Sequence, residues 1–146
     1  MIKMNDKKTV AVIGGGAAGL MACGVCAEHA DKVVLIEQNK FLGRKLRITG
    51  KGRCNITNTA EIEDMINNYI PTNSKFLYSA LYSFTNDDVV AFFNSLGVET
   101  KEERGGRIFP VSDSAKEVAE ALSRFALKKN VKKMCAKAVG IKEKDG

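Results

Sequence analysis

The chain has 146 residues, 45% hydrophobic and 27% charged, with 13 glycines and two prolines. That composition gives a globular domain with a real core and excludes a disordered chain or a Pro/Gly-rich linker. The net charge is +6, and no apolar run approaches the roughly 18 residues of a membrane span.

Thr9–Ile13 (TVAVI) is a short apolar run that reads as a buried strand of a parallel sheet. It runs straight into glycines with no cleavage site of signal-peptide type, so a cytoplasmic protein is expected. Ala17–Ala30 reads as an alanine-rich helix, and Lys32–Glu37 (KVVLIE) as a second buried strand. Together they make a right-handed βαβ unit. Residues 38–60 lack periodicity and read as an ordered loop with a helical turn around Arg44–Ile48. Glu61–Tyr69 and Ser74–Phe84 look helical, with Pro71 as a break between them. Thr85-x-x-Asp88 approximates a capping box for a helix over Asn86–Leu96, stopped by Gly97. Val98–Lys101 and Arg107–Phe109 are short strand candidates around Arg104-Gly105-Gly106. A helix then starts at Ser112 or Ser114 and runs to about Lys129. Its stripe is Ala115, Val118, Ala119, Leu122, Phe125 and Ala126. Residues 131–142 resemble a final strand, and Lys144-Asp145-Gly146 is a turn signal. A strand leading into a turn needs a partner, so the chain is expected to be a fragment.

Gly14-Gly15-Gly16-Ala17-Ala18-Gly19 is GxGxxG between a strand and a helix. Gly14 permits the tight turn, Gly16 lets backbone approach a pyrophosphate, and Gly19 lets the helix pack on the strand. The helix N-terminus offers N–H groups and a positive dipole to the phosphates. Glu37 closes the second strand, where a carboxylate can accept both ribose hydroxyls and repel a 2′-phosphate. FAD and NAD both fit this fingerprint.

The charge is concentrated. Residues 38–60 hold Lys40, Arg44, Lys45, Arg47, Lys51 and Arg53 and no acid, while the rest holds 17 basic and 17 acidic residues. A concentrated excess suits a specific anion. The four cysteines (Cys23, Cys26, Cys54, Cys135) are too few and scattered for a disulfide scaffold. Cys23 and Cys26 form a CxxC inside a predicted helix, where packing in a core is the expected role. One histidine, His29, and no second CxxC give no metal site.

The run GRKLRITGKGRCNITN (43–58), followed by GGRIFP (105–110), closely resembles the signature of a bacterial flavoprotein family. These are NAD(P)/FAD-dependent oxidoreductases of the aminoacetone oxidase or bile-acid flavin reductase type. The resemblance covers essentially the whole chain; family members are longer and complete their FAD site with a C-terminal return segment. It implies an α/β fold of Rossmann-like, glutathione-reductase type, with a parallel sheet and flanking helices, here incomplete. It places Gly14, Gly16, Ala17, Ala18 and Gly19 along the pyrophosphate and Glu37, with Gln38, at the adenosine ribose. Arg44 and Lys45 fall near the ribose or phosphates, and Thr49, Gly50, Arg53, Cys54 and Asn55 beside the pyrophosphate and the flavin. Ala138 and Val139 fall near the adenine. Thr49 and Lys51 depart from the serine and the small residue expected there.

The expected function is that of the N-terminal part of an FAD-dependent oxidoreductase, with NAD(P)H as one candidate electron donor. Arg53 is a candidate for the cation that stabilises reduced flavin. Only one cysteine, Cys54, lies near the basic loop, which argues against a dithiol relay. Catalytic residues, substrate and oligomeric state are not readable; no nucleic-acid or membrane partner is expected. The alternatives are an NAD-dependent dehydrogenase domain and a basic nucleic-acid-binding module centred on residues 38–60. The second lacks interleaved aromatics, Phe41 being the only one there.

Overall fold

A computed structural model describes residues 7–68 and 74–143. Tyr69, Pro71 and the turn Lys144-Asp145-Gly146 lie outside the described residues. The chain divides into two compact units, Met1–Leu46 with Ala119–Gly146, and Arg47–Val118.

The first unit is built on a three-stranded parallel sheet of order β1-β2-β6, with β1 at Thr9–Ile13, β2 at Lys32–Glu37 and β6 at Val131–Cys135. Thr9 pairs with Lys32 and Ile13 with Ile36; Val33 pairs with Val131 and Glu37 with Cys135. Helix α1 (Ala17–His29) makes the crossover between β1 and β2. Val33 and Leu35 of the central strand, with Leu20 of α1, are fully buried. Each such side chain contributes about 1.5–3 kcal/mol. The C-terminal part of α5 (Ala115–Ala126) packs on α1. A Cβ at Gly24 would lie 2.1 Å from the Phe125 ring, and the Cys23 thiol donates to the Ala126 carbonyl at 3.5 Å. The CxxC therefore has its first thiol buried in helix packing, and burial pushes that thiol up.

The last strand is shorter than the expected 131–142. A strand propagates only while its neighbour offers pairing groups, and β2 ends at Glu37. The final bond runs from the Ala136 N–H to the Glu37 carbonyl at 3.1 Å. Residues 136–143 are exposed and form no strand.

The second unit carries an antiparallel sheet of order β3-β5-β4, from Thr57–Asn58, Arg107–Pro110 and Thr100–Glu103. The two-residue β3 falls inside the stretch read as loop. Helices α2 (Ile62–Asn67), α3 (Tyr78–Ser83) and α4 (Asn86–Ser95) precede β4; the span expected as helix from Ser74 opens instead with a 3₁₀ turn, Ser74–Leu77. The capping box forms: the Asp88 N–H donates to the Thr85 hydroxyl at 3.2 Å, and the Thr85 N–H to the Asp88 carboxylate at 2.8 Å. β4 begins two residues later than expected because the Val98 N–H is spent on the end of α4, bonding the Phe93 carbonyl at 3.0 Å. Cys54, Ile66, Phe93, Val98, Ile108 and Phe109 form this unit's core. Ser114 starts α5, its hydroxyl accepting from the Glu117 N–H at 3.4 Å. Among the described residues no helix is long and apolar enough to cross a membrane.

Candidate dinucleotide site

The turn between β1 and α1 is shaped by three glycines with different reasons. Gly14 has φ +99°, a conformation that disfavours a side chain. A Cβ at Gly19 would sit 1.9 Å from the Gly14 carbonyl oxygen, whereas one at Gly16 would meet nothing within 4 Å. Gly16 has an ordinary φ of −80°. Neither strain nor crowding inside the protein therefore requires glycine at Gly16. The open space beside it, at a helix N-terminus with unspent N–H groups nearby, is where an anionic group fits. Ala17 and Ala18, on the first turn of α1, are exposed, and their side chains are small.

Glu37 is tied into this turn. Its Oε2 accepts from the Gly15 N–H at 2.7 Å, and its Oε1 accepts from the Asn39 N–H at 2.7 Å and the Asn39 amide at 2.6 Å. The Asn39 and Gly15 amides hold the Glu37 carboxyl below its ordinary range. Leu42 packs on the other side of the turn: a Cβ at Gly15 would meet its side chain at 2.5 Å. The Gly43 N–H closes the arrangement on the Gly15 carbonyl at 2.7 Å. Arg44 reaches Asn39 at 3.3 Å, so the glycine turn, Glu37 and the basic segment form one bonded chain. Lys45 is exposed beside it.

A cavity of about 280 Å³ opens beyond the C-terminal ends of the three parallel strands, lined by Ile13, Gly14, Ile36, Glu37, Gln38, Asn39 and Ala136–Ala138. Ligands of open parallel sheets bind at this edge. Of the two residues expected near the adenine, Ala138 lies within that lining, while Val139 is 91% exposed and outside it.

The remaining expected site residues, Thr49, Gly50, Arg53, Cys54 and Asn55, belong to the second unit. Here 3₁₀ turns over Leu46–Gly52 are broken at Thr49, which is extended, and at Gly50 and Lys51, which are left-handed. Lys51 (φ 57°) and Cys54 (φ 64°) are non-glycine residues in that region, which marks a backbone held in place by its surroundings. The Cys54 N–H bonds the Thr49 carbonyl at 3.0 Å. Its thiol is buried; burial pushes it up, and a bond with Thr49 partly opposes this. Asn55, with its amide nitrogen turned toward them, donates to the Thr57 carbonyl at 2.9 Å and the Ile108 carbonyl at 3.2 Å.

Arg53 differs most from the expectation of a cation offered to a ligand. Its guanidinium lies 4.2 Å from the Phe109 ring centre, donates to Asp113 at 2.7 and 2.9 Å, and pairs with Glu103. Lys101 joins Asp113 at 2.8 Å. These carboxylates raise the Arg53 pKa further. Lys101 and Arg53 together hold Asp113 below its ordinary range, and Arg53 does the same for Glu103.

Sequence reasoning missed Asn39 and Leu42, which build the turn, and Glu103 and Asp113, which occupy Arg53. Asn39 had a local signal, an amide two residues after the strand acid. The acids had none, being 50 and 60 residues from their partner.

The chain matches the HI0933-like protein Rossmann domain over residues 8–146. It is 37% identical over 126 residues to the 3-dehydro-bile acid delta(4,6)-reductase of Clostridium scindens, covering 84% of this chain and 30% of that protein. It is 35% identical over 120 residues to the ribosomal RNA dihydrouridine synthase of Escherichia coli, covering 82% and 29%. It thus spans under a third of the length of these relatives. The crystal structure of Thermovibrio ammonificans THI4 superposes with a TM-score of 0.53 at 15% identity, covering 88% of this chain and 37% of that one, a likeness of fold. With the family match covering nearly its whole length, the chain belongs to the HI0933-like Rossmann domain family.

Proposed function

We propose that this chain is the dinucleotide-binding portion of a flavin-dependent oxidoreductase and that its first unit holds the adenosine diphosphate end of FAD. The observation that carries this reading is the contrast within the glycine turn. Gly15 and Gly19 are closed by the protein's own atoms, while Gly16 faces open space. The pyrophosphate lies against Gly16 and the N-terminus of α1. Glu37, held ionised by the Asn39 and Gly15 amides, accepts the ribose hydroxyls and disfavours a 2′-phosphate. Ala138, with Gln38, borders the adenine.

FAD is favoured over NAD by the segment that follows β2. A basic loop and an antiparallel sheet stand where a simple NAD dehydrogenase continues its parallel sheet. The names of the relatives, a reductase and a dihydrouridine synthase, support an oxidoreductase role for the whole protein; NAD(P)H is the electron donor we propose for it. When bound, the flavin supplies reversible hydride acceptance. The residues of the first unit bind and orient its adenosine diphosphate end.

Titration of the purified protein with FAD, followed by quenching of flavin fluorescence, tests this. Saturable binding of FAD and at least tenfold weaker binding of FMN, which lacks the adenosine end, are expected. Equal affinity for the two, or binding of NADH without FAD, overturns the reading.

A further inference from the structure

Away from the cofactor cavity, the N-terminal ends of β1, β2 and β6 border a second groove of about 520 Å³. It is lined by Lys7, Thr9, Lys32, Lys129, Asn130 and Lys132, with Asp31 and Val131 completing it. We propose that this rim is a contact surface for the phosphate backbone of a nucleic-acid duplex. The proposal goes beyond the flavin reading, is independent of it, and departs from the expectation, drawn from the sequence, of no nucleic-acid partner.

Four lysines face one carboxylate, and that carboxylate is partly spent, since Asp31 accepts from the Lys8 N–H at 2.7 Å. All four lysines are exposed, and none has an ion pair or side-chain hydrogen bond among the described residues. Their neighbours are different: Lys128 is paired with Glu28 at 2.6 Å and Lys133 donates to the Lys40 carbonyl at 2.7 Å. Nor are the four needed at the end of α1, because Asn130 already bonds the Ala27 and Ala30 carbonyls, both at 2.9 Å. The rim is therefore charged beyond what the fold uses.

The kind of partner follows from the side chains. Lysine is a compact, rotatable point charge, suited to phosphates without fixed geometry; base reading calls for forked or amide groups. The groove has no aromatic ring, so it offers no platform for unstacked bases. Val131 is its one large apolar side chain, too little to enter a bilayer interface. Three adjacent strands spread the lysines over about 10 Å, a span over which a duplex presents several phosphates. The even balance of charge outside residues 38–60 hid this surface in the sequence, because the acids balancing these lysines lie elsewhere in the fold.

The test is binding of a fluorescein-labelled 20-base-pair duplex of arbitrary sequence to the purified protein between 25 and 200 mM salt. The expected slope of log K against log salt is about −3 to −4 for four neutralised phosphates. The combined Lys7→Gln, Lys32→Gln, Lys129→Gln and Lys132→Gln variant should lose most of that slope and bind at least tenfold more weakly at the lowest salt. The pair Lys129→Gln with Lys132→Gln should lose about half of it, which keeps the test valid if the fourfold variant folds poorly. The triple variant Lys40→Gln, Arg44→Gln, Lys45→Gln should retain the slope. Absence of salt-dependent binding overturns the proposal. So does loss of the slope only in the triple variant, or binding to anionic vesicles without binding to the duplex.

Discussion

The Gly14–Gly19 turn and the Thr49–Asn55 loop contrast in what they leave available. In the turn, polar groups and small residues are arranged around a space that the protein leaves open. In the loop, the polar side chains are largely satisfied within their own unit: Arg53 by Glu103 and Asp113, Asn55 by two carbonyls of the sheet. A stretch rich in cations is thus not automatically a stretch of free cations. Conversely, a plain glycine turn can be the better ligand site, because its amides are already oriented and opening it costs no ion pairs.

The sharpest way to break the contrast is to fill the closed glycines. Gly19→Ala drives a methyl group into the Gly14 carbonyl. It should destabilise the protein by about 3 kcal/mol or more, read as a lower denaturant midpoint, because backbone on both sides must move. Next in size is Glu37→Ala. It orphans the Gly15 and Asn39 amides and should cost about 2 kcal/mol by the same measurement, within the range for hydrogen bonds to a charged group. A cost near zero would mean that water replaces the carboxylate and that the turn is not pinned by it.

Acid titration sharpens the other side. Glu103, Asp113 and Glu37 all have carboxyls held below their ordinary values. Their stabilisation is complete above the ordinary carboxylate range near pH 4 and is lost as pH falls through the lower folded values. The melting temperature should therefore fall as pH is lowered from about 4 toward 2. Arg53→Met, by removing the shared partner of Glu103 and Asp113, should make that fall shallower. An unchanged profile would show that the loop's ion pairs contribute nothing in solution, as exposed pairs can. The smallest effect concerns thiols. Cys135 is exposed, while Cys54 and Cys23 are buried. Iodoacetamide on the native protein should alkylate Cys135 well before either of the other two, as followed by mass spectrometry.

Much of the first unit was legible in sequence. TVAVI and KVVLIE are short apolar runs closed by glycines and an acid, and the intervening glycine motif fixes the crossover; the burial expected of both holds at the centre of β2, whereas β1, at the edge of this sheet, alternates exposed and half-buried residues. The Thr85 cap was legible for the same reason, a signal held within four residues. What escaped depends on distant partners or on very short elements. Thr57–Asn58 is too short to show a period. β4 was expected over Val98–Lys101 and runs over Thr100–Glu103, its bounds set by the end of α4 and by β5 beside it. β6 ends where β2 ends, a length that no property of residues 136–142 records. At the site, Gly14, Gly16, Gly19 and Glu37 follow from a compact motif. The ion pairs of Arg53 were not legible because its acids, Glu103 and Asp113, lie 50 and 60 residues along the chain.

The central claim is that the open side of the glycine turn holds the pyrophosphate of FAD, and Gly16→Ala tests it most directly. The added methyl meets no protein atom within 4 Å, so the denaturant midpoint should match that of the parent protein. FAD affinity, measured by fluorescence quenching on the same sample, should fall at least tenfold. Unchanged affinity in a fully stable Gly16→Ala protein would contradict the account.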